Sequence, residues 1–196
     1  MQETLEIDKR GWLQDVDIIC SPNHETRPPG TEIKLIVVHG ISLPPGEYGG
    51  GYVQQLFTNR LDSTEHDYFA EIAHLKVSAH CLIERNGHLI QFVSFEDRAW
   101  HAGLSCWQDQ QNCNDFSIGI ELEGSDDEPY TDAQYQQLAR LVISLRKKYP
   151  QISDQSICGH SDIAPGRKTD PGPFFDWQKL ASLTTVNTGN ESHDFS

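Results

Sequence analysis

The chain's apolar and polar positions fall into blocks that predict a mixed α/β protein. Residues 33–39, IKLIVVH, form a β-branched apolar run that suits a buried strand, and the run stops at His39-Gly40. After the polar loop ISLPPGEYGGG, residues 51–61 (GYVQQLFTNRL) predict a short helix. Residues 66–75 (HDYFAEIAHL) predict a second helix, or a loop with one turn. Residues 77–93, VSAHCLIERNGHLIQFV, predict a hairpin of two strands about Asn86-Gly87, the dipeptide that best tolerates a tight hairpin turn. FSIGIELEG (116–124) predicts another strand, and QSICGH (155–160) a short one.

The firmest element is TDAQYQQLARLVISLRKKYP, residues 131–150. Thr131 and Gln134 have the spacing of a capping box. Tyr135, Leu138, Leu141, Val142, Leu145 and Tyr149 form one apolar face. Lys147 and Lys148 suit a helix C-terminus, and Pro150 closes it. FDWQKLASL (175–183) predicts a last short helix. The first 30 residues are polar and proline-containing and are expected to wrap the surface. The order of elements predicts an α/β fold, a mixed central sheet of about five strands flanked by helices. One domain is expected over residues 1–183, with a polar tail over 184–196.

Composition narrows the partners. The formal net charge is −14, so duplex nucleic acid would be repelled. No apolar run reaches the length of a membrane span. The first residues, MQETLEIDKRGW, lack a basic stretch followed by an apolar one, which predicts a cytoplasmic protein. The five cysteines are odd in number and contain no CxxC pair, which fits reduced thiols and opposes a disulfide framework. A monomer is expected.

Candidate chemistry gathers at the ends of the predicted strands. Of the nine histidines, His39 ends an apolar strand and His160 follows Gly159 at the end of another. Sheets fix side chains there while loops leave room for a ligand. A hydrolytic zinc takes three protein ligands and keeps one position open. His39, His160 and one carboxylate could supply them. Spacing leaves Asp162 and Asp170 equal as the third, with Cys158 a further option. Glu121 and Glu123 lie two apart on a strand and so face one side. Either would suit a general base, and a solvated outer strand face would explain them equally well. Arg167 and Lys168, in the loop GHSDIAPGRKTDPGPFFDW (159–177), could bind an anion or steady an oxyanion. Trp100, in RAWHAG, could line a sugar groove or simply fill the core.

Taken together, LIVVHGISLPPGEYGG, HLKVSAHCLI, RAWHAG, CNDFSIGIELEG, YTDAQYQQL and GHSDIAPGRKTDPGPFFDW resemble the zinc-dependent N-acetylmuramoyl-L-alanine amidases. That family shares its fold with peptidoglycan recognition proteins. The likeness runs in collinear order over about residues 11–180 and points to the cytoplasmic branch that acts on anhydromuropeptides. It implies zinc on His39, His160 and Asp170, with Asp170 taken over Asp162. It implies Glu121 as proton acceptor in preference to Glu123, and Lys168 as stabiliser of the transition state. Arg167 is implied as a contact of the substrate peptide and His80 and His101 as non-ligands; Lys76 and Trp100 are expected to contact substrate as well.

The implied reaction is hydrolysis of the amide between 1,6-anhydro-N-acetylmuramic acid and L-alanine of muropeptides. It would serve peptidoglycan recycling and keep β-lactamase induction low where that circuit exists. The sequence departs from the family at Gly40, where Asn is frequent, at Lys76, where Arg is usual, and at Asp162, where Asn is common. A non-catalytic peptidoglycan recognition module is the competing expectation. A secreted amidase acting on intact wall is another.

Overall fold

The computed structural model describes residues 4–185. In chain order the strands and helices are β1 (Asp17–Ile18), β2 (His24–Thr26), β3 (Leu35–Ile41), α1 (Tyr52–Phe57), α2 (Asp67–Ile72), β4 (Cys81–Ile83), β5 (Leu89–Gln91) and β6 (Asp97–Ala99). There follow β7 (Cys106–Trp107), β8 (Gln110–Gln111), β9 (Ser117–Glu123), α3 (Asp132–Lys148), β10 (Ile157–Gly159), α4 (His160–Ile163) and α5 (Trp177–Thr184). The expected elements all form, most with trimmed ends, although β3 runs past His39 to Ile41 and α5 past 183 to Thr184.

The central sheet has the order β1-β5-β4-β9-β3-β10. It holds six strands where about five were expected, because β1 adds an edge. Both residues of β1 are exposed and lie in the segment expected only to wrap the surface. Two exposed residues leave no alternating pattern to read. The neighbours β4, β9, β3 and β10 all run parallel, and β5 returns antiparallel to β4. The β4–β5 hairpin closes over 84–88, where the Glu84 N–H donates to the His88 carbonyl at 2.9 Å. Gly87 takes a φ of +86° there, which a residue with a Cβ adopts only under strain.

Parallel strands are covered on both faces, so their sequences read as near-continuous apolar runs. In β3, Ile36 and Val38 pack toward α3 with Ile118, Ile120 and Leu122 of β9. Leu35 and Val37 point the other way, against Ala102, Phe116 and Ile163. The capping box of α3 is present, and Gln134 is fully buried because its amide donates to the Ile83 and Glu123 carbonyls. Thr184, expected to begin the polar tail, is a buried last residue of α5; the tail from 186 on lies outside the described residues.

Candidate active site

In open α/β sheets ligands gather beyond the carboxyl ends of parallel strands. Here β3, β9 and β10 bring His39, Glu121 and Gly159-His160 to that edge, and His39 is the register partner of Glu121. Both belong to the face of the sheet away from α3. His160 opens the single helical turn α4, which Pro165 does not enter. The chain then folds back. The Arg167 and Lys168 N–H groups donate to the Ala164 carbonyl, each at 3.1 Å. The Ser161 N–H donates to the Asp170 carbonyl at 3.0 Å. Pro171 packs so closely on Gly159 that a Cβ there would lie 2.8 Å from the proline ring. These contacts return Asp170 to the side of His160.

Three donor atoms converge as a result. His39 Nδ1 and His160 Nδ1 are 3.0 Å apart, and Asp170 Oδ2 lies 3.2 Å from the first and 3.0 Å from the second. Ligands about 2.0–2.1 Å from a tetrahedral zinc stand roughly 3.3 Å from one another, so the triangle fits such an ion, and a two-histidine, one-carboxylate set suits zinc. Its ligand atoms all lie within 4.8 Å of one another. Burial pushes the His39 imidazole down to about 4. Neutral imidazole is the form that ligates a metal.

Neither remaining candidate ligand shares that triangle. Asp162 is exposed, and its Oδ2 accepts the Gly159 N–H at 2.7 Å, capping the α4 turn. Cys158 packs among the apolar residues beneath α4, and burial pushes its thiol up to about 12.

The two glutamates of β9 differ as sharply. Every residue of β9 is buried, so the solvated-face explanation does not hold for either. Glu123 accepts the Gly49 N–H at 2.6 Å on one oxygen and the Arg85 N–H at 3.2 Å on the other. It ties the glycine-rich loop after β3 to the β4–β5 turn. Glu121 has Oε1 4.0 Å from His39 Nδ1, while its Oε2 is buried with no hydrogen-bond partner among the described residues. Burial raises its carboxyl well above the ordinary value, and the Asp170 charge adds to this while Lys168 opposes it. Charge-assisted hydrogen bonds contribute about 1.5–3 kcal/mol each. Glu123→Ala removes both, about 3–6 kcal/mol together, and should therefore lower the melting temperature by roughly 6–24 °C in a chain of this size, read by thermal unfolding.

These groups open into a cleft of about 630 Å³, whose wall includes Trp100, Arg167, Lys168, Tyr68 and Asp126. Lys168 is exposed, and its charge is felt at both Glu121 and His39. Trp100 is half-buried, with Nε1 shielded and without a partner among the described residues. Arg167 spends Nη2 on the Ala102 and Leu104 carbonyls, at 2.6 and 2.7 Å. Lys76 is exposed and does not line the cleft, although its neighbours Leu75 and Val77 do. A larger depression of about 1320 Å³ is lined by Leu5, Val16, His88 and Arg140 among others and includes none of the candidate site residues. Convergent chemistry, and not volume, locates the site.

His101, expected as a non-ligand, lies outside the triangle, with its Nδ1 2.9 Å from the other nitrogen of His39, Nε2. One signal for it was available. Gly119 sits mid-strand in β9, where glycine often marks a close approach. The His101 ring takes that space, and a Cβ on Gly119 would come within 2.3 Å of it.

Comparison with known proteins gives the family. Residues 29–173 match the family described as N-acetylmuramoyl-L-alanine amidase (Amidase_2). The chain is 54% identical over 183 residues to the 1,6-anhydro-N-acetylmuramyl-L-alanine amidase AmpD of Enterobacter cloacae, covering 93% of this chain and 97% of that protein. Its fold is similar to the crystal structure of a selenomethionine AmpD derivative, with a TM-score of 0.89 at 54% identity, over 92% of this chain and 99% of the other. It is also similar, with a TM-score of 0.57 at 29% identity, to the E. coli amidase AmiD solved in complex with the substrate anhydro-N-acetylmuramic acid-L-Ala-D-γ-Glu-L-Lys. That match spans 90% of this chain and 65% of AmiD. The family match over residues 29–173 and the identity to AmpD over nearly the whole chain show that the chain belongs to the N-acetylmuramoyl-L-alanine amidases of the Amidase_2 family.

Proposed function

We propose that the enzyme is a zinc-dependent hydrolase of anhydromuropeptides, cleaving the amide between the lactyl group of 1,6-anhydro-N-acetylmuramic acid and L-alanine. His39, His160 and Asp170 are the zinc ligands, Glu121 is the proton acceptor and Lys168 the stabilising cation. The observation that carries this reading is the buried, unpartnered oxygen of Glu121 beside three convergent ligand atoms. The names and substrates of the similar amidases support the choice of substrate.

Bound zinc supplies a Lewis acid and lowers the pKa of a coordinated water. Glu121 accepts a proton as the water oxygen attacks the amide carbon. A carboxylate freed of solvent and of hydrogen bonds is a stronger base than one in water. The same carboxyl then delivers that proton to the L-alanine nitrogen as the carbon–nitrogen bond breaks. Lys168 faces the developing oxyanion, and the turn bonded to the Ala164 carbonyl holds its backbone in place. Trp100 presents its ring to the substrate from the cleft wall. Arg167 supports the rim from which its remaining nitrogens reach the peptide, and Lys76 contacts substrate from outside the cleft wall.

The enzyme acts as a monomer in the cytoplasm, in peptidoglycan recycling, and so holds down the muropeptides that induce β-lactamase. No described helix is long and apolar enough to cross a membrane. The chain through Thr184, the buried end of α5, works as one domain. Side-by-side assays on anhydro- and non-anhydro-muropeptides should show a clear preference for the anhydro form. Equal rates would remove the recycling assignment. Dialysis against a chelator should abolish turnover and added zinc restore it. A recognition module would show no turnover in either state.

A further inference from the structure

The two histidines of the candidate metal site each carry a second ring nitrogen, and both are met by one short segment. His160 Nε2 donates to the Ala102 carbonyl at 3.1 Å, because a carbonyl can only accept. That leaves His160 Nδ1 as a bare lone pair facing His39 and Asp170. His39 Nε2 instead faces the ring of His101, at 2.9 Å from Nδ1. Either nitrogen could hold the proton of that pair, so the direction must come from farther along.

Ser117 supplies it. Its hydroxyl hydrogen goes to the Cys113 carbonyl, at 2.5 Å. A hydroxyl has one hydrogen, so toward His101 Nε2, 3.2 Å away, Ser117 Oγ can only accept. His101 therefore carries its ring proton on Nε2, and its Nδ1 is an acceptor. His39 must then hold its own proton on Nε2, and its Nδ1 is left bare toward His160 and Asp170. The backbone of the segment is fixed as well. Asn114 Oδ1 accepts the N–H groups of His101 and Ala102 at 3.1 and 2.8 Å, and Arg167 donates to the same Ala102 carbonyl. The His101 and His39 rings cross almost at right angles, with centroids 5.0 Å apart.

We propose that His101, oriented by Ser117, is a positioning residue that locks His39 in its Nε2–H tautomer, while Ala102 does the same for His160, so that both Nδ1 atoms are prepared for a metal. The inference rests on the zinc reading above. Partners behind metal ligands are typically worth about 10–100-fold in affinity.

The test uses the full chain stripped of metal, with zinc affinity measured by competition against a chromophoric chelator. His101→Ala should weaken zinc binding about 10–100-fold. His101→Gln should recover most of that loss, because its amide can accept from His39 and donate to Ser117 as the ring does. Long-range proton–nitrogen NMR of wild type should find neutral His101 protonated at Nε2. Failure of wild type to bind zinc would overturn the metal reading and this inference together. Zinc binding in wild type with a folded His101→Ala of equal affinity would overturn the inference alone. So would a His101→Gln variant no better than His101→Ala, or a proton found on His101 Nδ1. The NMR measurement needs no variant and decides the matter if the substitutions prevent folding.

Discussion

Glu121→Gln should bind zinc like the wild type and lose about 10²–10⁴-fold in turnover, the span that general acid–base groups usually contribute. The argument rests on what surrounds the carboxylate. One oxygen lies 4.0 Å from His39 Nδ1, and the other is buried without a partner among the described residues. A buried polar atom with nothing to bond is costly for folding, by about 1–3 kcal/mol. A group kept bare in that way is serving the reaction and not the fold. Glutamine keeps the shape but cannot accept the proton, and removing the buried charge should leave stability equal or improved. Metal analysis, steady-state kinetics and thermal unfolding on one purified sample read all three quantities. A variant with wild-type turnover would sink the assignment of the base.

Asp170→Ala should lose both metal and activity, while Asp162→Ala keeps both. The two residues share one short loop and one charge. Asp170 Oδ2 lies 3.0 and 3.2 Å from the two histidine nitrogens. Removing it takes one of three proposed ligands, and zinc content should fall below about a tenth of an equivalent, because few ligands remain to offset release into water. Asp162 only caps the α4 turn through the Gly159 N–H. Its loss should cost roughly 1 kcal/mol of stability, the usual worth of such a cap. Zinc retained in the first variant and lost in the second would reverse the assignment.

Much of the fold was legible before any coordinates. The β-branched run at 33–39, the Asn-Gly hairpin and the capped helix at 131–150 all form where local patterns place them. Periodicity is a local quantity, so it finds elements whose own residues decide their state. It failed at β1, whose two exposed residues owe their strand geometry to β5 alone. It also could not choose between the two glutamates of β9. Alternation put Glu121 and Glu123 on one side, but the partners that separate them arrive from Gly49 and Arg85 in distant loops.

The sequence by itself determined the elements, the family likeness and the short list of ionisable residues that could do chemistry. These follow from patterns within a few turns of chain. Only the tertiary structure decided which of those residues meet. His39 and His160 are 121 positions apart, and their contact exists because β3 and β10 lie side by side in parallel register. The fold likewise brought His101 behind His39, over a glycine whose missing side chain makes the room. Parallel pairing and close approach are products of packing between distant segments, and no local pattern of polar and apolar residues records them.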